Sequence, residues 1–414
     1  MKKEFKIKSL NLKVVMFFCA LFTFHFSLFT ASDAKVYIDI TSPALRKLPI
    51  SINYTGPAEA GQIAGIAEDD LNFTGIFYFI DPDIAGAEIR VRINVEVLEE
   101  IKADVEVFDL IANRTVLNKR YRADRKYLRA LAHGIANDVF EVVTGRKGVF
   151  RTKLAYIVNS GNKKWLYLTD WDGYNPVRIV SKGLSASHSW SPDARYFIYS
   201  SERNRKWNIY SLDLKSYREK VLFSSKGLNL VGGISPDNRV AFSSSRDGSL
   251  EIYVMNINGT GIKKLTRSYG IDVSPVFSPD GSRIAFVSDR GGSPQIYVMN
   301  SNGRGVKRVT FEGPYNTSPA WSPDGKWIAY VGRKNGKNQV FMIKSDSTDL
   351  RQLTSTGNNE NPSFSPDGMF ISFDSDRGGN KNIYLMSING ERERRITPRK
   401  IKAMNPRWSP YLKK

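Results

Sequence analysis

Cysteine and histidine are almost missing from this chain, which has one of the former, Cys19, and three of the latter in 414 residues. That scarcity excludes a disulfide framework, a zinc cluster and a Cys/His nucleophile pair. Long apolar runs are also scarce: after residue 34 none is long enough to cross a bilayer. Acidic residues are outnumbered, 41 against 61 Lys and Arg, for a formal charge of +20. Such an excess favours acidic partners, whether nucleic acid, an anionic envelope surface or an acidic protein. What is plentiful is core-forming material: 41% hydrophobic and 12% aromatic residues exclude a disordered or collagen-like chain. The length leads one to expect one to three domains.

The first 34 residues read as a secretory signal peptide. Lys2, Lys3, Lys6, Lys8 and Lys13 precede an apolar run from Val14 to Phe29, and Ser32 and Ala34 place small side chains at −3 and −1 of a cut after Ala34. An uncleaved membrane anchor is the competing reading. Cleavage removes five basic and two acidic residues and the single cysteine, leaving a formal charge of +17. An exported, soluble protein is expected, and export argues against nucleic acid as the basic chain's partner.

From about residue 150 the sequence repeats itself. Ser-Pro-Asp begins at Ser191, Ser235, Ser278, Ser322 and Ser365, and a truncated Ser409-Pro410 follows, in steps of 44, 43, 44, 43 and 44. Two aromatic columns keep step: Tyr156, Tyr199, Phe242, Phe286, Tyr330 and Phe373, then Tyr167, Tyr210, Tyr253, Tyr297, Phe341 and Tyr384. An aliphatic column, Ile179, Leu222, Leu265, Val309, Leu353 and Ile396, completes the unit. A period of 43 to 44 residues holding four short β segments is the arithmetic of a WD40-like propeller blade.

Within one unit, Val273–Phe277, Ile284–Ser288, Gln295–Met299 and Val306–Thr310 read as strands separated by Asp-Gly, Gly-Gly and Asn-Gly turns. Apolar residues on both faces of the middle strands fit a sheet stacked between two neighbours. The first unit lacks an inner strand, and Met404–Trp408 is an inner strand with nothing after it. The two fragments are expected to complete one another and close a six-bladed ring, removing exposed edges. A solenoid would need capping units, and none is visible.

Residues 35–145 have another rhythm. Lys35–Thr41, Leu48–Tyr54 and Ile76–Ile80 read as strands and Glu59–Leu71 as a helix. Two alternating stretches, Glu88–Leu98 and Lys102–Leu110, are extended by Val116–Tyr121. A second helix, N-capped by Asp124, carries Leu128, Leu131, Ile135, Val139 and Val143 at helical spacing and ends at Gly145. The expected fold is mainly β: signal peptide 1–34, small α/β domain 35–145, linker 146–152 and six-bladed propeller 153–414.

The ordered combination resembles the TolB family. It comprises a small α/β domain, the join Lys147-Gly148-Val149-Phe150-Arg151-Thr152, the turn Trp171-Asp172-Gly173-Tyr174-Asn175, Ser-Pro-Asp-Gly repeats and the ending Asn405-Pro406-Arg407-Trp408-Ser409-Pro410-Tyr411-Leu412. The resemblance covers essentially all of the mature chain, although the stretch from Asp81-Pro82 to Glu88 is shorter than in the family. It implies a periplasmic, non-enzymatic adaptor of the Tol-Pal system, which supports outer-membrane constriction at division, maintains envelope integrity and is exploited by bacteriocins. The lipoprotein Pal is the partner implied for one propeller end, and TolA the partner implied for the segment just after signal cleavage, here Lys35, Val36, Tyr37, Ile38, Asp39 and Ile40. An alternating segment of this kind suits a strand that adds to another protein's sheet edge. A monomer with no cofactor, no metal and no nucleic-acid partner is expected.

Loops from an outer strand to the next inner strand share an end with the second-to-third-strand turns. Candidates for the Pal surface are therefore Leu228, Tyr269, Asp272, Val273, Tyr315, Asn316, Asn359 and Glu360, with Arg246, Asp289, Arg290, Arg333 and Arg377 nearby. The family's contacts best match Leu228 and Val273, which are apolar here. The Asp-Arg turns are expected to form salt bridges within a blade, and the Asp of each Ser-Pro-Asp to cap its turn.

The alternative is an exported propeller hydrolase, lactonase-like or peptidase-like. It finds little support: there is no Gly-x-Ser-x-Gly elbow and no room for a hydrolase domain. His133 and His188 read as structural. A lactonase-type metal site needs carboxylates converging on the ring axis, and Asp272, Asn316 and Glu360 come nearest.

Overall fold

A computed structural model describes residues 46–412. The expected leader and the segment Lys35–Ile40 lie outside the described residues. Two assemblies follow one another, and the first is a five-stranded sheet in the order Phe77–Phe79, Leu48–Thr55, Ile89–Val97, Ile101–Asp109, Arg114–Ala123. Leu48–Thr55 pairs in parallel with both of its neighbours, and the last three strands are antiparallel. Ile89, Val91, Ile93 and Val95 point inward while Arg92, Asn94 and Glu96 face out, the alternation of a sheet covered on one face.

Two helices cover that face, α1 (Ala58–Thr74) and α2 (Leu128–Thr144). They end at Gly75 and Gly145, whose φ angles of 74° and 72° are left-handed and favour glycine. The Asp124 expectation needs correction: its side chain caps nothing, because a 3-10 turn, Arg125–Tyr127, precedes α2. Residues 81–88 form turns.

The second assembly is a propeller. Four separate antiparallel sheets of four strands occupy the stretch from Asn229 to Arg395. One of them runs Asp272–Phe277, Arg283–Ser288, Gln295–Asn300, Lys307–Arg308. The outer strand is thus two residues long where the sequence suggests five, since only its start pairs with the strand inside it. Eight further strands form one sheet, in which Leu184–Trp190 meets Lys163–Asp170 through a single parallel pair, Lys164 with Leu184. In that sheet the C-terminal strand Lys402–Trp408 lies antiparallel on Lys153–Ser160, Arg407 opposite Ala155 and Trp408 opposite Leu154.

The innermost strands touch in cyclic order: Leu184–Trp190, Asn229–Ile234, Asp272–Phe277, Asn316–Trp321, Asn359–Phe364, Lys402–Trp408, and back to the first. The two aromatic columns of the sequence pair across adjacent strands of each unit, with centroids 5.5 to 6.0 Å apart from Tyr156–Tyr167 round to Phe373–Tyr384. These pairs form the packing between sheets; Phe242 and Tyr253, for example, meet Ile198, Ile209 and Phe223 of the sheet before. In every Ser-Pro-Asp the serine hydroxyl donates to its aspartate, fixing the turn as expected.

Candidate partner-binding rim

The helical layer of the first assembly touches the propeller through Ser-Pro-Asp turns and third-to-fourth-strand turns. Arg146 donates to the carbonyl of Asp367, Arg392 to that of Asn72, and Phe73 stacks on Phe370 with centroids 5.0 Å apart. The opposite end is built from outer-to-inner loops and second-to-third-strand turns and holds the thirteen candidates of the propeller face.

Three successive loops there expose apolar side chains: Leu228 in the first, Tyr269 in the second and Tyr315 in the third. Sequence reasoning missed two more, Ile271 and Phe311, which are 47% and 67% exposed. The signal available for them was an apolar residue inside a loop just beyond Thr266 or Thr310, where burial has no use for it. Clustered exposed apolar groups on an otherwise polar surface mark interaction sites.

Asp272, Asn316 and Asn359 are corrections, because all three are buried and spent on holding the rim. Asn316 Nδ2 donates at 2.7 Å to Gln295 Oε1 of the preceding sheet, which also accepts from Thr310 Oγ1. The next junction repeats this, with Asn359 Nδ2 and Thr354 Oγ1 both on Gln339 Oε1 at 2.8 Å. Position 272 carries a carboxyl group in place of the amide, and the neighbouring sheet presents Glu251, which takes Thr266 Oγ1 instead. Asp272 is matched within its own sheet by Arg290, whose Nη2 lies 3.0 and 2.8 Å from the two carboxylate oxygens.

The Asp-Arg turns thus form salt bridges within their own blades, as expected, although the partner is not always the adjacent aspartate. Arg290 reaches Asp272 rather than Asp289, whose carboxylate accepts the Ile271 amide at 2.6 Å. Arg377 pairs with Glu393 and donates to Asn359 Oδ1 at 2.8 Å. Arg246 lies 3.5 Å from Asp247 and over the Phe223 ring. Arg333 is exposed, and its backbone amide donates to Tyr315. Val273 is half-buried against the core, and Glu360 is held by Lys381 Nζ and Asn338 Nδ2 at 2.7 and 2.8 Å. Burial works against the Lys381 charge, but Asp374 and Glu360 outweigh it and raise its pKa.

A second polar cluster lies at the other end. Asp70, His133 and Asp172 are buried with one ligand atom each within 4.8 Å of one another, a set that could hold a metal ion. They are already engaged with protein: His133 Nδ1 is 2.6 Å from Asp70, and Arg129 pairs with Asp172 and lies over the Tyr174 ring. The arrangement ties both helices to the first third-to-fourth-strand turn of the propeller. His188 stacks on Phe197, and burial, with Arg407 nearby, pushes its pKa down to about 3, so its ring is neutral.

Residues 140–412 match the family described as TolB beta propeller domain. Protein TolB homolog of Chlorobium chlorochromatii is 34% identical over 251 residues, 55% of this chain and 57% of that protein. Tol-Pal system protein TolB of Desulfosudis oleivorans is 35% identical over 269 residues, 56% and 61% of the two chains. The chain spans about three fifths of the length of the curated relatives it matches. TolB from Acinetobacter baumannii, a crystal structure, superposes with a TM-score of 0.80 at 28% identity, over 88% of this chain and 97% of that one. No helix among the described residues is long and apolar enough to cross a membrane.

Proposed function

Because this chain belongs to the TolB family, we propose that it is a non-enzymatic adaptor of the Tol-Pal system, working in the periplasm after removal of residues 1–34. The eight-stranded sheet is read as two blades touching through one residue pair, which makes six blades in all with the four separate sheets. On this reading the α/β domain spans 35–145 and the propeller 153–414, joined by 146–152. The rim binds Pal and the segment Lys35–Ile40 binds TolA, so that one monomer links the two during outer-membrane constriction.

The observation that carries this is the exposure of Leu228, Tyr269, Ile271, Phe311 and Tyr315 on three neighbouring loops. Tyrosine and phenylalanine at the centre of a rigid surface, edged by Arg246 and Arg333, have the composition of a protein-binding hot spot. Beneath them the buried Asn229 and Asn316 amides hold the first and third of these loops, so the surface needs little ordering on binding. The test is retention of Pal by the purified protein. Tyr269→Asp together with Tyr315→Asp is expected to lower the affinity at least tenfold without moving the unfolding midpoint. Retention equal to that of the unchanged protein would show that Pal docks elsewhere.

A further inference from the structure

The funnel at the Ser-Pro-Asp end of the propeller axis carries an unmatched positive charge. Six positions, each two residues before a Ser-Pro serine, line a cavity of about 440 Å³: Ser189, Gly233, Val276, Ala320, Ser363 and Arg407. Five are small and uncharged, and the sixth, from the C-terminal strand, is an arginine. The remaining wall is mostly proline and aromatic, including Trp190, Phe277, Trp321 and Phe364, with Gly232, Ile234 and Ser278 between them.

Arg407 is in no ion pair among the described residues, and its side chain donates only to the carbonyl of its own neighbour, Pro406, at 3.0 Å. The carboxylate whose field it feels, Asp374, is otherwise engaged: it accepts from Asn361 and the Asn405 amide and lies 3.2 Å from Lys381 Nζ. Burial pulls the Arg407 pKa down to about 10, which leaves it charged at neutral pH. The aspartates of the surrounding turns do not line the cavity, and each is bonded back to its own serine.

A guanidinium has five donors, and this half-buried one uses only one of them, with no anion paired to it among the described residues. We propose that this funnel is a binding site for a carboxylate carried on an apolar body, with Arg407 as the anion clamp and the tryptophan and proline wall taking the body. A single guanidinium balances one negative charge, so a phosphate dianion would be left partly uncompensated among prolines and aromatics. The volume suits a peptide C-terminus or a small arylalkyl acid.

The two sources are distinguished by titrating the purified protein, calorimetrically and by tryptophan fluorescence, with glycyl-glycyl-phenylalanine, its C-terminal amide, 3-phenylpropanoate and inorganic phosphate. The free-acid peptide is expected to bind at least tenfold more tightly than the amide and than phosphate. If 3-phenylpropanoate matches the peptide, the ligand is a small acid; if it binds much more weakly, the ligand is a chain terminus. Arg407→Gln is expected to lower the carboxylate affinity at least tenfold and leave the amide unaffected. Should that variant fold poorly, Ala320→Phe fills the cavity without touching Arg407 and is expected to weaken the same binding. Equal affinity for acid and amide, tighter binding of phosphate, or no binding at millimolar concentration would overturn the assignment.

Discussion

His133 on α2 sets its Nδ1 2.6 Å from a carboxylate oxygen of Asp70 on α1 and turns its Nε2 toward Asp172 of the propeller at 3.6 Å. Burial by itself favours the neutral ring. The hydrogen bond to Asp70 and the charges of Asp70 and Asp172 prevail, even against Arg129, and raise the pKa above 6.5. A raised pKa means that the folded state holds this proton more tightly than the unfolded state. The contribution is therefore complete below the ordinary imidazole range and is lost as the pH rises through the raised value. Stability is expected to fall on the alkaline side of pH 6.5, and His133→Gln to flatten that fall, as measured by urea unfolding across pH 5.5 to 9. A slope unchanged in the variant would assign the dependence to other groups.

Asn359 occupies a buried junction between sheets and donates to Gln339 Oε1 and to the Thr356 carbonyl while accepting from Arg377. Asn359→Leu leaves the Thr356 carbonyl without this donor and takes one acceptor from Arg377, which keeps Glu393, so a loss of about 1–3 kcal/mol is expected. Leu228→Asp, on the exposed rim, is expected to change stability by no more than about 0.5 kcal/mol. Comparing the denaturant midpoints of the two variants checks whether the rim and its support are separable in this way.

The propeller was legible because each of its units repeats the same constraints. Tyr253 and Tyr297 recur at fixed register since each must pack against the sheet before it, and five copies of Ser-Pro-Asp mark the same turn. What the sequence hid depends on relationships between distant residues. Asp272, Asn316 and Asn359 look like surface groups in a loop-rich stretch, yet each is buried by the sheet beside it. Asp70 reads as an ordinary helix acid until Asp172, about a hundred positions later, closes over it. Ile271 and Phe311 were overlooked for the opposite reason: hydrophobic residues suggest burial, and only the fold reveals that both stay exposed among the described residues.

Asp280 and Asp367 occupy the same place in the repeat and respond to acid in opposite ways. Hydrogen bonds from Ser278, Ser282 and the Ser282 amide hold Asp280 down to about 2, whereas burial pushes Asp367 up to about 6 despite its bonds to Ser365 and Met369. A depressed pKa stabilises the fold above the ordinary carboxylate value of 3.8, and the gain is lost as the pH falls through about 2. For Asp367 the sign reverses, and the ionised form costs stability above about pH 6. At pH 7, Asp280→Asn is expected to lower the unfolding midpoint and Asp367→Asn to hold or raise it. The same direction in both variants would mean that the turn alone, rather than its burial, governs the carboxylate.

Closure of the ring rests on the last strand, and Trp408 is its anchor. The indole is 6% exposed, stacks near-parallel to Phe370 at 6.3 Å and donates from Nε1 to Thr152 Oγ1 at 2.6 Å, tying the two ends of the propeller together. Trp408→Ala removes the stacking partner and leaves the Thr152 hydroxyl buried, so a loss of about 3–5 kcal/mol is expected. Trp408→Phe keeps most of the ring contact and forfeits only the hydrogen bond, so its loss should be nearer 1 kcal/mol. Truncation before Lys402 goes further, because it exposes the full edge of Lys153–Ser160, whose partner strand is then gone. That variant is expected to unfold without a single cooperative transition and to self-associate. A truncated protein that stays monomeric with an unchanged midpoint would show that the sheets hold together without the closing strand.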